Sequence, residues 1–336
     1  MTTRDRALRD ELERGSWAGR PLPPVAEKFF LEVAAHRKLE HLQARQNPIA
    51  IPVEGATLHA ERIEPVAGAS RGTVVFVPGT GTHVVAYVEF VCALADEGFT
   101  VLAFDPRGHG RSSGRRGDFT VAGFVADTVA VVRFAQKTCP GPHFLSGSSQ
   151  GGIIAVYAST LLPELAGVIP QAFADLSDPE SAELLGPGTL AGRLKPVRAI
   201  FPVLGKLLPT APVPVAAYVN LGRESLGWTT AAQFLADDPL GVPVYTLRAT
   251  SDLSSAPPPK PFSTIRHHVL AIAAGADRIF RIAFQRRQAA KLENAQLEMA
   301  VFDEAEHLVL NTEPRLVIPR IAEWLGRRVS TPAGRR

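Results

Sequence analysis

Residues 147 to 151 read Gly-Ser-Ser-Gln-Gly and separate two short apolar runs, Pro142-His143-Phe144-Leu145-Ser146 before and Gly152 to Ala158 after. The first run predicts a strand and the second a buried helix, so the pentapeptide falls on a tight strand-to-helix turn. There a Gly-x-Ser-x-Gly pattern has a physical meaning. The central Ser149 must take a strained backbone with positive φ, and the crossing chain leaves no room for side chains at 147 and 151. The strain pushes the hydroxyl clear of the sheet edge. The amide of Gln150, first in the helix, then points at any oxyanion formed beside it. A Gly/Ser-rich loop could carry the same letters, but the flanking strand and helix favour a nucleophilic serine.

A serine hydroxyl is a weak nucleophile near neutral pH and needs a base, plus a group that orients the base. Of nine histidines, His307 is the best placed. It follows the strand-like run Gln296 to Phe302 and a short turn, Asp303 to Glu306, and a last helix begins near Glu313-Pro314. That puts it in a loop at the carboxyl end of the final strand, where α/β sheets hold their sites. His109, in a glycine-rich loop, is read as part of the site wall, and the adjacent His267 and His268 as structural.

Two acids compete for the orienting role. Asp252 follows Val242 to Arg248, which reads as a strand, and Asp277 follows the strand-like run Val269 to Ala276. One strand–helix–strand step spans about 30 residues. Asp277 lies 30 residues before His307, with Ala283 to Leu292 available as the helix, whereas Asp252 lies 55 residues before it. The spacing favours Asp277, with Asp252 as the alternative and Asp303 too near the histidine. A second oxyanion donor is expected from the loop after the third strand, at the amide of Thr80; losing one such donor typically raises the barrier by about 3 kcal/mol.

The elements that must position these groups follow from pattern. A helix is expected from Pro24 to Ala44, after a loosely ordered, charge-rich start at residues 1 to 20. Strands are expected at Ile49 to Val53 and Leu58 to Ile63, then at Thr73 to Val77 and Thr100 to Phe104. Continuous β-branched runs such as Thr73-Val74-Val75-Phe76-Val77 are those of strands buried on both faces. With helices at Val85 to Glu97 and Ala122 to Gln136, the alternation predicts an α/β fold with a doubly wound, mostly parallel sheet. The rhythm breaks after Ile169. Residues 171–240, rich in proline and glycine, are expected to form an inserted cap, flanked by core segments 46–170 and 241–328, an N-terminal segment 1–45 and a tail 329–336.

The chain has 336 residues, of which 46% are hydrophobic and 21% charged, with a net charge of +3. So small a charge, dispersed among acids, argues against nucleic-acid binding. No apolar run reaches the roughly 20 residues of a membrane-spanning helix. With only Cys92 and Cys139, a disulfide framework is not expected, and a cytoplasmic location fits. No metal-ligand cluster or dinucleotide fingerprint appears, so no cofactor is expected. The oligomeric state is not encoded in these patterns.

Several motifs together resemble the α/β-hydrolases of the monoacylglycerol lipase and lysophospholipase-like group. They are Pro78-Gly79-Thr80-Gly81-Thr82-His83, Tyr87-Val88-Glu89-Phe90, Phe104 to Ser112, Asp127, Phe144 to Gly152, and Asp238-Pro239-Leu240. Gly275 to Phe280 also looks like that family's acid loop. Members usually carry histidine where Pro78 and Ser148 stand here, and neither is a reacting position. The resemblance, over about residues 50–326, implies a Ser149–His307–Asp277 triad acting through an acyl-enzyme on a small or lipid-like carboxylic ester. An apolar cap favours an apolar acyl group. An acyltransferase or proline-releasing peptidase on the same scaffold, and a non-catalytic binding protein with this fold, are the alternatives.

Overall fold

The computed structural model describes residues 3–37, 45, 47–184 and 201–329. Six strands lie in its first half: β1 (Pro48–Val53), β2 (Ala56–Ile63), β3 (Thr73–Val77), β4 (Thr100–Phe104), β5 (His143–Ser148) and β6 (Gly167–Gln171). Four follow: β7 (Pro212–Pro214), β8 (Val244–Thr246), β9 (His268–Ala274) and β10 (Gln296–Phe302). Among the described residues, eight of them make one sheet in the order β1-β2-β4-β3-β5-β6-β9-β10. β1 and β2 form an antiparallel hairpin and β2 pairs antiparallel with β4; from β4 onward every neighbour is parallel.

Both faces of this sheet are covered, which is why its central strands can be apolar throughout. Along β3, Val74 and Phe76 point to one face and Val75 and Val77 to the other, as strand geometry demands. The first face packs against the helices Val88–Asp96 and Pro314–Val329, with Phe90, Leu94, Trp324 and Leu325 among the buried contacts. The second packs against Val121–Thr138 and Gln150–Ser159 through Phe124, Val131 and Ile154. Trp324 fits against Gly167, where an added Cβ would come within 2.4 Å of the indole ring. Among the described residues no helix is long and apolar enough to cross a membrane.

Three expectations need correction. The chain start is ordered: Thr3–Glu13 is a helix, and Leu12, only 1% exposed, joins an apolar cluster with Leu8 and Trp17. The helix expected at Val85 to Glu97 begins as a 3-10 turn, Val84–Tyr87, and becomes α-helical only at Val88. The stretch Val242 to Arg248 adds no strand to the main sheet. Only Val244–Thr246 is extended, pairing antiparallel with β7 in a separate ribbon, and Thr246 then caps the helix Leu247–Leu253 by accepting from the amide of Ala249. The second helix of the chain runs from Pro24 to Arg37. Residues 38–44, the cap stretch 185–200 and the tail 330–336 lie outside the described residues.

Candidate active site

β5 delivers the chain to Ser149, which has φ of 54° and ψ of −116°, and the helix Gln150–Ser159 starts immediately after it. The flanking glycines are dictated by space. A Cβ on Gly147 would lie 2.2 Å from the carbonyl oxygen of Gly151, and one on Gly151 would lie 2.2 Å from that of Val77. The Ser149 amide donates to the carbonyl of Gln171 on β6 at 2.7 Å, which holds the turn against the neighbouring strand.

β9 and β10 supply the other two groups. Their parallel register sets Ala274 opposite Phe302, and the loops beyond them stay tied: Gly275 donates to Phe302 and Ala276 to Ala305. From these loops come Asp277 and His307. His307 Nε2 is 2.9 Å from Ser149 Oγ, and its Nδ1 is 2.8 Å from Asp277 Oδ2. The other carboxylate oxygen, Oδ1, accepts from the amides of Ile279 and Phe280 at 2.8 and 2.7 Å. The Phe280 ring stacks on the imidazole, with centroids 5.6 Å apart and planes inclined by 2°. The structure therefore brings Ser149, His307 and Asp277 into one hydrogen-bonded chain. Asp252 is not part of it. It sits in the helix Leu247–Leu253, and its carboxylate caps the helix Val121–Thr138 by accepting from the amide of Val121.

Burial lowers the pKa of His307, but the charge and hydrogen bond of Asp277, with a smaller contribution from Glu224, outweigh it and leave the net shift upward. Other histidines behave differently. Burial holds His59 and His109 neutral, each with a pKa pushed down to about 3.

The loop after β3 lies beside the elbow. The amides on either side of Thr80 are already taken: Gly79 donates to the Tyr87 hydroxyl at 3.1 Å and Gly81 to the Tyr245 hydroxyl at 2.7 Å. Among the described residues the Thr80 amide between them has no acceptor. Thr80, Ser149, Gln150 and His307 all line one cavity of about 180 Å³, whose other walls include Leu176, Val219 and Phe234. Tyr245 is itself held from behind. His109 Nδ1 donates to the Arg107 carbonyl at 3.0 Å, so its Nε2 is left to accept from the tyrosine hydroxyl at 3.0 Å. The wall role expected for His109 becomes a support role.

Three residues that hold these loops were given no such role by the sequence: Tyr87, Tyr245 and Gln171. Gln171 accepts from Ser148 Oγ at 2.8 Å and donates to the His307 carbonyl at 3.2 Å, linking the elbow to the histidine loop. His83 and Asp238 form a buried pair, 2.7 Å apart.

A mostly parallel sheet, with a serine on a strand-to-helix turn and the acid and histidine on later strand ends, defines an α/β-hydrolase. The family model described as serine aminopeptidase, S33, matches residues 68–315, and the chain belongs to that family. Monoacylglycerol lipase of Mycolicibacterium smegmatis is 27% identical over 266 residues, 76% of this chain and 88% of that protein. Human monoglyceride lipase is 32% identical over 156 residues, 45% of this chain and 50% of that protein. The fold is shared with a soluble variant of monoglyceride lipase from Saccharomyces cerevisiae, at a TM-score of 0.70 and 19% identity over 85% of this chain and 96% of that one. Family and relatives together make the chain a carboxylester hydrolase.

Proposed function

We propose that the chain hydrolyses carboxylic esters with an apolar acyl group through a covalent acyl-enzyme formed on Ser149. The observation that carries this reading is the continuous chain of contacts from Ser149 Oγ through His307 to Asp277, at 2.9 and 2.8 Å. In the first half-reaction Ser149 Oγ bonds to the ester carbonyl carbon while His307 Nε2 takes its proton. The carbonyl oxygen becomes an oxyanion facing the amides of Thr80 and Gln150. As the tetrahedral centre collapses, the alcohol leaves with the proton returned by His307. Water then repeats the sequence on the acyl-enzyme, releasing the acid and restoring the serine. Asp277 holds the imidazole with Nδ1 protonated and balances the positive charge it carries midway.

On this reading the described parts of residues 171–240 form the cap over the acyl pocket. Cys92 and Cys139 are both buried and form no disulfide, in keeping with a reducing compartment such as the cytoplasm. Labelling with a fluorophosphonate probe tests the nucleophile: the wild-type chain takes the label and Ser149→Ala does not. Label retained by Ser149→Ala refutes the assignment. The relatives that are monoacylglycerol lipases are consistent with this substrate class. Product analysis with alcohols competing against water separates hydrolysis from acyl transfer.

A further inference from the structure

The cavity above Ser149 has a wall that the family match does not include. That match starts at residue 68, yet Phe30, Val33 and Ala34 line the same cavity as Ser149 and His307. They stand three and four residues apart on the helix Pro24–Arg37 and so share one face. Phe30 and Ala34 are buried, while Leu31, on another side of the helix, is 46% exposed. The inner face meets the cap: Phe29 and Phe30 lie 5.8 and 6.4 Å from Phe234, ring centroid to centroid. Phe30 also packs edge-on against His83 at 5.3 Å, the histidine that pairs with Asp238 at the cap's end.

This wall is fixed to the sheet by polar contacts made just ahead of the helix. Arg111, itself buried and paired with Glu61 at 2.6 Å, donates to the carbonyl of Arg20 at 2.7 Å. The amide of Gly19 donates to His59 Nδ1 at 3.1 Å. Gly19 approaches β1 so closely that a Cβ there would lie 2.6 Å from the amide nitrogen of Ala50. Farther back, Gly114 donates to the carbonyl of Glu13 at 2.9 Å. A wall so anchored has a defined position relative to Ser149, as a specificity wall must.

We propose that the helix Pro24–Arg37 sets the length of aliphatic acyl chain the site accepts, with Phe30 and Val33 limiting the space available. The proposal rests on the ester-hydrolase reading above. An apolar wall discriminates only through area and volume, and one methylene more or fewer in such a pocket changes kcat/KM by roughly tenfold or more. The test measures kcat/KM for p-nitrophenyl esters from acetate to palmitate in wild type, Val33→Trp, Phe30→Ala and Leu31→Ser. Val33→Trp narrows the cavity and lowers the long-to-short ratio by roughly tenfold or more. Phe30→Ala widens it and raises that ratio, and Leu31→Ser keeps the wild-type value. Opposite shifts from a narrowing and a widening change in one helix do not arise from impaired folding. The proposal is overturned if Val33→Trp and Phe30→Ala keep the wild-type ratio or move it the same way, or if Leu31→Ser moves it as far. If the wild-type chain hydrolyses none of the esters, the ester-hydrolase reading falls, and this inference with it.

Discussion

Opposing influences set the charge on His307. Its burial favours the neutral ring, whereas the carboxylates of Asp277 and Glu224 favour the imidazolium, and the balance lies above the ordinary histidine value. A general base works only when unprotonated, so activity is present above that pKa and lost as pH falls through it. The acid limb of kcat/KM is therefore expected with its midpoint above about 6.5. Glu224→Gln removes one raising influence and should move the midpoint to lower pH; an upward move in the pH–rate profile would contradict the assignment. Asp277→Asn removes the larger influence and also the acceptor that fixes the tautomer. Turnover should then fall by about ten-thousandfold, as when an orienting carboxylate is lost from such a triad. The same exchange at Asp252 should cost stability rather than chemistry, because its carboxylate caps a helix. Comparing kcat for the two variants checks both statements.

At the scale of elements, the elbow tolerates nothing larger than hydrogen at position 151. Gly151→Ala would force a methyl group to within 2.2 Å of the Val77 carbonyl and 2.4 Å of that of Pro78, separating the helix Gln150–Ser159 from β3. Overpacking of this kind costs about 1–3 kcal/mol or more, expected as a lowered denaturation midpoint together with a loss of kcat, because Ser149 and the Gln150 amide move with the helix. An unchanged kcat would show that the elbow relaxes without moving them. The elements that carry this geometry were legible because local pattern decides them. Thr73–Val77 and Thr100–Phe104 are unbroken apolar strands, and the 30-residue interval from Asp277 to His307 fits one strand–helix–strand step. What escaped sequence reasoning depends on partners distant in the chain. Val242 to Arg248 carries strand-type residues, but at Thr246 the side chain turns back to cap a helix, a choice no local run of β-formers reveals. Tyr245 reaches across 164 residues to Gly81, and no spacing rule announces that contact. The helical start of the chain was hidden by its charge, since only a few residues such as Leu12 are buried.

For the whole molecule, imidazoles sealed in the interior contribute to the response to acid. His59 and His109 have folded pKa values of about 3, each through burial first and then a nearby arginine or histidine charge, against about 6.5 in an unfolded chain. Between those values the unfolded chain binds more protons than the folded one. These two groups therefore destabilise the fold as pH drops, by roughly 1 kcal/mol per pH unit for each. Guanidinium midpoints measured across that window should decline on acidification, and His109→Gln should flatten the decline by one histidine's share. A slope in His109→Gln as steep as in wild type would contradict this.

The pairing of β9 with β10 has a further consequence. A slip of one residue would shift one strand by about 3.3 Å along the other, farther than the 2.8 Å now separating the carboxylate of Asp277 from the imidazole of His307. Ester turnover thus acts as a vernier on strand alignment. On the proposed mechanism, catalysis returning after denaturation reports that the last two strands have regained this alignment.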